Sequence, residues 1–283
     1  MSLFDTGIRP AIDAHLLKLS EEVRDYGDYW SASSAGYCYR RLIFERLKVP
    51  YVKEDARKQR VFAVGDIFHE WAQRITKDAG ISIAQELELQ DEDLMVRGHI
   101  DDLVLIPGEV VVQMEGTVNL SNQDGKFRPP QLILYDYKSV SSRAFSYQSK
   151  QPSQAEVRSY FHRLQLGTYM YMLNKSDGLA LQSVQSKPRA HKPITQLSEA
   201  RIMKISKDDL RMTEEQLLWS DELEKEVVGY WTKLNEIWKS KKVPPCTCHE
   251  HEGGFLAKQA YNPYFYNGLP CSVDWFNLKK KEG

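Results

Sequence analysis

The chain has 283 residues, 42% hydrophobic and 11% aromatic, enough for a substantial core in one large domain or one domain with an appendage. A formal net charge of -1 excludes recruitment of nucleic acid by overall charge, so such a partner needs a local basic groove. No stretch approaches the roughly 18 apolar residues of a membrane span, and the N-terminal residues lack a signal peptide's apolar run. A soluble, cytoplasmic protein with no membrane partner is expected, its four cysteines serving as thiols or metal ligands rather than disulfides.

Ile12, Leu16, Leu19 and Val23 recur at helical spacing and predict an amphipathic helix over 10–25. Next comes the run Ser31-Ala32-Ser33-Ser34-Ala35-Gly36-Tyr37-Cys38-Tyr39-Arg40-Arg41. Its serines suit a helix start, and Ala35, Cys38, Leu42 and Ile43 would line one side of that helix. Cys38 suits a small buried hydrophobe, and the arginines suit either solvent or phosphate. After a charged segment over 53–60, Gly65-Asp66-Ile67-Phe68-His69 opens a further helix with an apolar stripe of Phe68, Trp71, Ala72, Ile75 and Ala79. His69 falls at the flank of this stripe, bordering the core and within reach of a cleft.

Residues 81–90, where Ile83, Leu87 and Leu89 are interleaved with Glu86 and Glu88, read as a strand. Either glutamate is a further carboxylate or part of a solvated face. The next two strands carry the chemistry. Leu94 to Ile106 contains Gly98-His99-Ile100-Asp101, and Leu132 to Val140 contains Asp136-Tyr137-Lys138. Alternation puts Leu132, Leu134, Asp136 and Lys138 on one face and Tyr135 and Tyr137 on the other. Asp101 joins them if the strands are neighbours; it is preferred to Asp102 because Leu103 and Leu105 share its face. Two carboxylates suit a hard divalent cation, which polarises a phosphoryl oxygen and acidifies a bound water. A nearby lysine orients that water and stabilises developing negative charge. The plainer alternative is a strand-end salt bridge between Asp136 and Lys138. Residues 107–131 read as a hairpin insertion between the two strands.

Beyond Lys138, the polar stretch Ser139 to Pro152 suits a substrate loop or a linker. A helix from about Ser153 to Asn174 places Gln165 and Tyr169 on one face. Leu179–Val184 and Ala200–Ile205 read as late strands around a basic loop with Lys187, Arg189, His191 and Lys192. Thr213 to about Lys242 reads as one long helix, with Thr213 and Gln216 as a capping box. The tail holds Cys246, Cys248 and Cys271. Gathered with Cys38, they would hold an iron–sulfur cluster or a zinc ion; His249 and His251 keep zinc open.

The ordered set Cys38, Gly65-x-x-x-His69, Gly98-x-Ile100-Asp101, Asp136-x-Lys138, Gln165-x-x-x-Tyr169 and the late cysteines resembles the PD-(D/E)xK nuclease superfamily. More closely, it resembles the RecB-type nuclease domain and the CRISPR-associated exonuclease with an iron–sulfur cluster, the Cas-four type. The motifs span about residues 31 to 271.

The resemblance implies an α/β fold: a restriction-endonuclease-like core with a central mixed sheet flanked by helices, in a single nuclease domain over 1–283. A cysteine-bearing region would be built from 31–60 and 243–283. His69, Asp101, Asp136 and the Tyr137 carbonyl match the ligands of magnesium or manganese. Lys138 matches the lysine that positions the attacking water, with Asp101 and Asp136 as its catalytic partners. Gln165 and Tyr169 match a supporting helical motif, and Arg40 and Arg41 are candidates for substrate contact. Cys38, Cys246, Cys248 and Cys271 match the ligands of a four-iron–four-sulfur (4Fe-4S) cluster, but Cys271 is further off than in the family, which keeps zinc as an alternative. The function implied is a metal-dependent deoxyribonuclease, a single-stranded DNA exonuclease of recombination, repair, phage or CRISPR adaptation, partnered by a helicase, integrase or recombinase. The alternative is a non-catalytic DNA-binding scaffold subunit. The intact set His69, Asp101, Asp136 and Lys138 argues against it, since a scaffold has no need of all four.

Overall fold

The computed structural model describes residues 8–19, 27–49, 55–106, 131–142, 145, 155–157, 159–175 and 196–244. Its strands are β1 (Trp30–Ser31), β2 (Ser82–Asp91), β3 (Val96–Ile106), β4 (Gln131–Val140), β5 (Ala155–Glu156), β6 (Glu199–Ser206) and β7 (Met212–Leu218). They form one seven-stranded mixed sheet in the order β1-β3-β4-β6-β7-β5, with β2 paired to β3. The helices are α1 (Ile8–Leu19), α2 (Tyr39–Arg46), α3 (Ala56–Asp78), α4 (Tyr160–Lys175) and α5 (Asp221–Ser240). A central mixed sheet flanked by helices is the expected architecture, consistent with a restriction-endonuclease-like core. Among the described residues, no helix is long and apolar enough to cross a membrane.

Each side of the sheet has its own apolar cluster. The larger packs Ile100, Leu103, Leu132, Leu134 and Ile202 against α4 and α5, where Leu164, Met170, Val227 and Trp231 are buried. The smaller packs Val104, Ile133, Tyr135 and Tyr137 against Ala72 of α3. The alternation expected in β4 is therefore present, with Leu132 and Leu134 on the α4 side and the tyrosines on the α3 side.

Pairing along β3 opens the site. One edge of β3 is occupied by β2, from Val96 to Val104. The other edge is shared: β1 pairs with Val96 and Arg97, and β4 pairs with Asp102 through Ile106. Between these stretches lies Gly98-His99-Ile100-Asp101, with no strand of the described residues beside it on that edge. Meanwhile β4 runs on to Val140, held on its far side by parallel β6. The sheet thus forks at Asp101, and side chains from both faces can meet in the gap.

Several boundaries differ from the sequence expectations. The first helix ends its described course at Leu19. Ala35 and Cys38 precede α2 rather than lying in it: a 3-10 turn takes Ala32–Ser34, and Cys38 is the residue before the first helical one. Both are nonetheless buried with Leu42 and Ile43. α3 does not open at Gly65; it starts at Ala56, capped by Asp55, which accepts a hydrogen bond from the Lys58 N–H at 2.8 Å. Of its expected stripe, Ala72 is buried while Trp71 and Ile75 are 38% and 47% exposed. α3 meets the sheet through His69, Gln73 and Thr76 instead, one helical face at i, i+4 and i+7 spacing.

α4 begins at Tyr160, not near Ser153, because Ala155–Glu156 pair with β7. The long helix from Thr213 is two elements. Met212–Leu218 forms β7 against β6, and Glu215 is buried there on Lys204. The helix starts at Asp221, and Ser220, not Thr213, caps it by accepting from the Leu223 N–H. The insertion over 107–130, the loop over 146–154, the strand at 179–184, the basic loop at 187–192 and the tail with Cys246, Cys248 and Cys271 lie outside the described residues.

Candidate active site

β4 carries Asp136 and Lys138 into the fork from the α4 side. Lys138 Nζ donates to Asp136 Oδ1 at 2.9 Å, and Gln165 Nε2 of α4 donates to the same oxygen at 3.3 Å. Asp136 Oδ2 is buried with no hydrogen-bond partner among the described residues. A buried carboxylate oxygen without a donor is unstable as an anion. Accordingly burial, reinforced by the Asp101 charge and opposed by Lys138 and His69, pushes the Asp136 pKa up to about 6. Burial works to lower the Lys138 ammonium, but Asp136 and Asp101 outweigh it and its pKa is raised. Lys138 therefore stays charged at neutral pH, as a fixed donor rather than a base.

Asp101 occupies the fork itself. Its Oδ2 accepts the Tyr137 N–H at 2.8 Å, replacing the strand partner that β4 lacks at that point. The same oxygen lies 3.1 Å from His69 Nε2, so α3 reaches the site from the opposite face. The hydrogen bond to Asp101 raises the His69 pKa, against the effect of burial and with help from the Asp101 and Glu86 charges. Asp101 does not share the Leu103 face by simple alternation. Ile100 and Leu103 both point to the α4 side, and Asp102 between them points to the α3 side. The face changes at Asp101.

Asp102 is fully buried and serves as the anchor beneath the site. It accepts hydrogen bonds from Thr76 Oγ1 at 2.5 Å, Ser82 Oγ at 2.7 Å, Tyr137 Oη at 3.0 Å and Gln85 Nε2 at 3.3 Å. One carboxylate thus ties α3, β2 and β4 to β3. Of the two neighbours it is Asp101 that stands in the fork beside His69, although face-sharing is not what puts it there.

Glu86 stands out less in the sequence than the strand aspartates do. It stands opposite the fork on β2, between the pairs Gln85↔Asp102 and Leu87↔Ile100. Its φ is 50°, in the left-handed region that a glutamate seldom adopts. That conformation reverses the faces of β2 at the level where β3 reverses. Leu87 packs toward the α4 side, while Gln85 bonds Asp102 on the α3 side. Glu86 Oε1 lies 3.8 Å from His69 Nδ1 and accepts from Gln73 Nε2 at 2.7 Å. His69, Glu86 and Asp101 each offer a ligand atom, all within 4.8 Å of one another. Asp136 stands beside this group, not in it.

The supporting residues divide. Tyr169 of α4 lies against Gly98: a Cβ there would stand 2.9 Å from Tyr169 Cε1 and 2.8 Å from the Ala32 methyl, so only glycine fits. Gly65 of α3 makes a similar approach to β4: a Cβ there would stand 3.1 Å from Ser139 Oγ. Arg40 and Arg41 are engaged within the protein. Arg40 Nε donates to the Pro244 carbonyl at 2.6 Å, and Arg41 pairs with Glu45 and lies 4.0 Å over the Tyr37 ring. The Arg40 contact holds the chain two residues before Cys246 next to the turn that carries buried Cys38.

Two groups near Lys138 carried no sequence signal. Lys204 is its register partner on β6, buried in an ion pair with Glu215. His162 lies one helical turn before Gln165, its Nδ1 buried without a partner among the described residues. Burial and the Lys138 and Lys204 charges push its pKa down to about 3, so it stays neutral.

No protein-family model and no curated protein matches this sequence. Among solved structures, SSO0001 is similar at a TM-score of 0.46 and 13% identity, over 84% of this chain and 89% of that one. LHK-Exo, solved in complex with dAMP, is similar at a TM-score of 0.41 and 15% identity, over 81% of this chain and 94% of that one. The functional reading therefore rests on the site's own residues.

Proposed function

We propose that the protein is a divalent-metal-dependent nuclease that hydrolyses phosphodiester bonds in DNA, acting as an exonuclease on single strands. The observation that carries the reading is the buried Asp136 Oδ2, without a hydrogen-bond partner among the described residues, beside Asp101, His69 and the Lys138 ammonium. Such an oxygen suits a hard cation, and the donor set of carboxylates and one imidazole suits magnesium or manganese. His69, Asp101, Asp136 and the Tyr137 carbonyl would hold it. A cation there supplies Lewis acidity toward a phosphoryl oxygen and acidifies bound water.

The chain's own groups do the rest. Lys138, fixed by Asp136 at 2.9 Å, points a donor at the charge that builds on the phosphate. Gln165 keeps Asp136 in place from α4. Asp101 links the site to the backbone of β4 through the Tyr137 N–H, so the carboxylates keep their spacing when substrate enters. A neutral His162 adds no second positive charge to compete with Lys138.

A cysteine-ligated iron–sulfur cluster is part of the proposal, with zinc as the alternative. The Arg40–Pro244 contact supports it, because it ties Pro244, the last described residue before the cysteine-bearing tail, to the helix that follows Cys38. Iron and zinc analysis of the purified protein, with its visible absorption before and after Cys38→Ala, decides between the metals.

The nuclease is tested with end-labelled single-stranded and duplex DNA, in manganese or magnesium, against EDTA. Metal-dependent shortening of the single strand supports the reading, and the label's position gives polarity. No cutting of either substrate by folded protein refutes it.

A further inference from the structure

We propose that His162 is a positioning residue for Lys138: in the working site its Nδ1 accepts a second hydrogen bond from the Lys138 ammonium. This inference rests on the nuclease reading above and gives a task to a residue which that reading uses only for its neutrality. α4 runs antiparallel to β4. Gln165 stands at Asp136, and nine residues on Asn174 bonds both backbone groups of Leu197, just before β6 pairs with the start of β4. One turn back from Gln165 is therefore a step forward along β4. Three helical residues rise about 4.5 Å and two strand residues about 6.6 Å, which brings His162 level with Lys138. Both chain neighbours of His162 are fixed. A Cβ at Gly36, whose φ is 84°, would stand 3.0 Å from the Phe161 Cα, and Arg163 pairs with Glu226 of α5 at 2.8 Å.

His162 Nδ1 is buried with no hydrogen-bond partner among the described residues. A buried polar atom left unpaired is unfavourable, so a partner is expected among the groups beside it. The charges that act on His162 are those of Lys138 and Lys204. Lys204 is buried and committed to Glu215. Lys138 is half-buried, and Asp136 takes one of its three protons. An ammonium only donates, so the imidazole is the acceptor. Burial and the two positive charges keep the ring neutral, and they favour the tautomer with the lone pair rather than the proton at Nδ1. Asp136 is also assigned to the cation, which divides its hold on Lys138. A second acceptor, fixed on α4, would keep the ammonium aimed at the phosphate.

The experiment measures cutting of end-labelled single-stranded DNA in Mn2+ by the full chain, for wild type, His162→Asn, His162→Gln and His162→Phe, with thermal melting to confirm that each is folded. The asparagine amide falls where Nδ1 stands, and the glutamine amide near Nε2. His162→Phe and His162→Gln should lower kcat by about 10- to 100-fold with KM unchanged, the usual loss when a supporting hydrogen bond is removed, and His162→Asn should recover most of it. Wild-type kcat in His162→Phe overturns the proposal, as does equal kcat in His162→Asn and His162→Gln. Nitrogen magnetic resonance of the isotope-labelled His162 ring, without and with Mg2+, gives a readout independent of cutting. Nδ1 should carry no proton, and its signal should move to the hydrogen-bonded position when Mg2+ is added, a shift absent in Lys138→Met. A proton on Nδ1, or no shift, overturns the proposal. Wild type that shows the shift but cuts no DNA would remove the nuclease reading and keep the hydrogen bond; cutting without the shift would do the reverse.

Discussion

Replacing Asp136 by asparagine should stabilise the metal-free protein, although it removes a residue of the site. Asp136 is 3% exposed and its pKa is pushed from 3.8 to about 6, chiefly by burial. The folded protein therefore holds this proton more tightly than the unfolded chain does. Stability falls as pH rises from about 4 through about 6, and the loss is complete above that range. Two pKa units correspond to roughly 3 kcal/mol at neutral pH. An asparagine keeps an oxygen for Lys138 and Gln165 but gives up charge attraction to Lys138, so a net gain of about 1–3 kcal/mol is expected. For a chain of this size that is a rise in melting temperature of a few degrees.

The assay is thermal melting in EDTA at pH 4 and pH 8, then at pH 8 with Mn2+. The variant should melt higher than wild type at pH 8 and equal to it at pH 4. Added Mn2+ should close the gap, because a ligand at about 100 times its dissociation constant adds roughly 2.7 kcal/mol to the form that binds it. A variant that melts lower than wild type in EDTA at pH 8 would refute the argument. So would an equal gain from Mn2+ in both proteins, since Asp136 would then hold no cation.

Lys138→Gln should reduce DNA cutting by about 100- to 1,000-fold, the usual loss of one positioned donor, while the Mn2+ count stays at the wild-type value. Gly98→Ala should destabilise the fold by about 1–3 kcal/mol in chemical denaturation, because its methyl collides with Ala32 and Tyr169. Lys204→Met should cost about 3–5 kcal/mol by leaving Glu215 buried and unpaired, and the double variant Lys204→Met with Glu215→Leu should recover most of it.

The parts of the site that were legible in the sequence follow from local periodicity. β4 alternates without irregularity, so Asp136 and Lys138 could be placed on one face from spacing alone, and Gln165 and Tyr169 could be placed on one helical face. Glu86 was hidden by the same rule. Period-two reading assumes that every residue is extended, and a single residue at φ 50° reverses the faces beyond it. The misreading of Thr213 to Leu218 as helix has a different cause. Thr-Glu-Glu-Gln-Leu-Leu is made largely of good helix formers and runs almost directly into a genuine helix at Asp221. Its strand conformation comes from pairing with β6, and from the buried Glu215–Lys204 pair, both of them long-range. The apolar face of α3 misled for a third reason: helical spacing marks an apolar stripe but not whether a sheet lies beneath it.

The Gly98-to-Asp101 run links these points, because each of its two end residues meets a requirement set by the fork. An antiparallel partner along this edge would satisfy the backbone of β4 at Tyr137, and it would also fill the space in front of Lys138. The fork keeps that space open, and a carboxylate takes the place of the missing strand by accepting the Tyr137 N–H. A buried N–H left unmade would cost about 1–3 kcal/mol. Asp101 is therefore needed by the fold before any cation is considered, and its shared position beside His69 makes the same group available to a metal. Glycine at 98 follows from the other end of the gap. With no strand to fill it, Ala32 and the Tyr169 ring close over the backbone, and a side chain would hold them away. The opening that exposes Lys138 is thus kept by residues whose first task is to replace a strand.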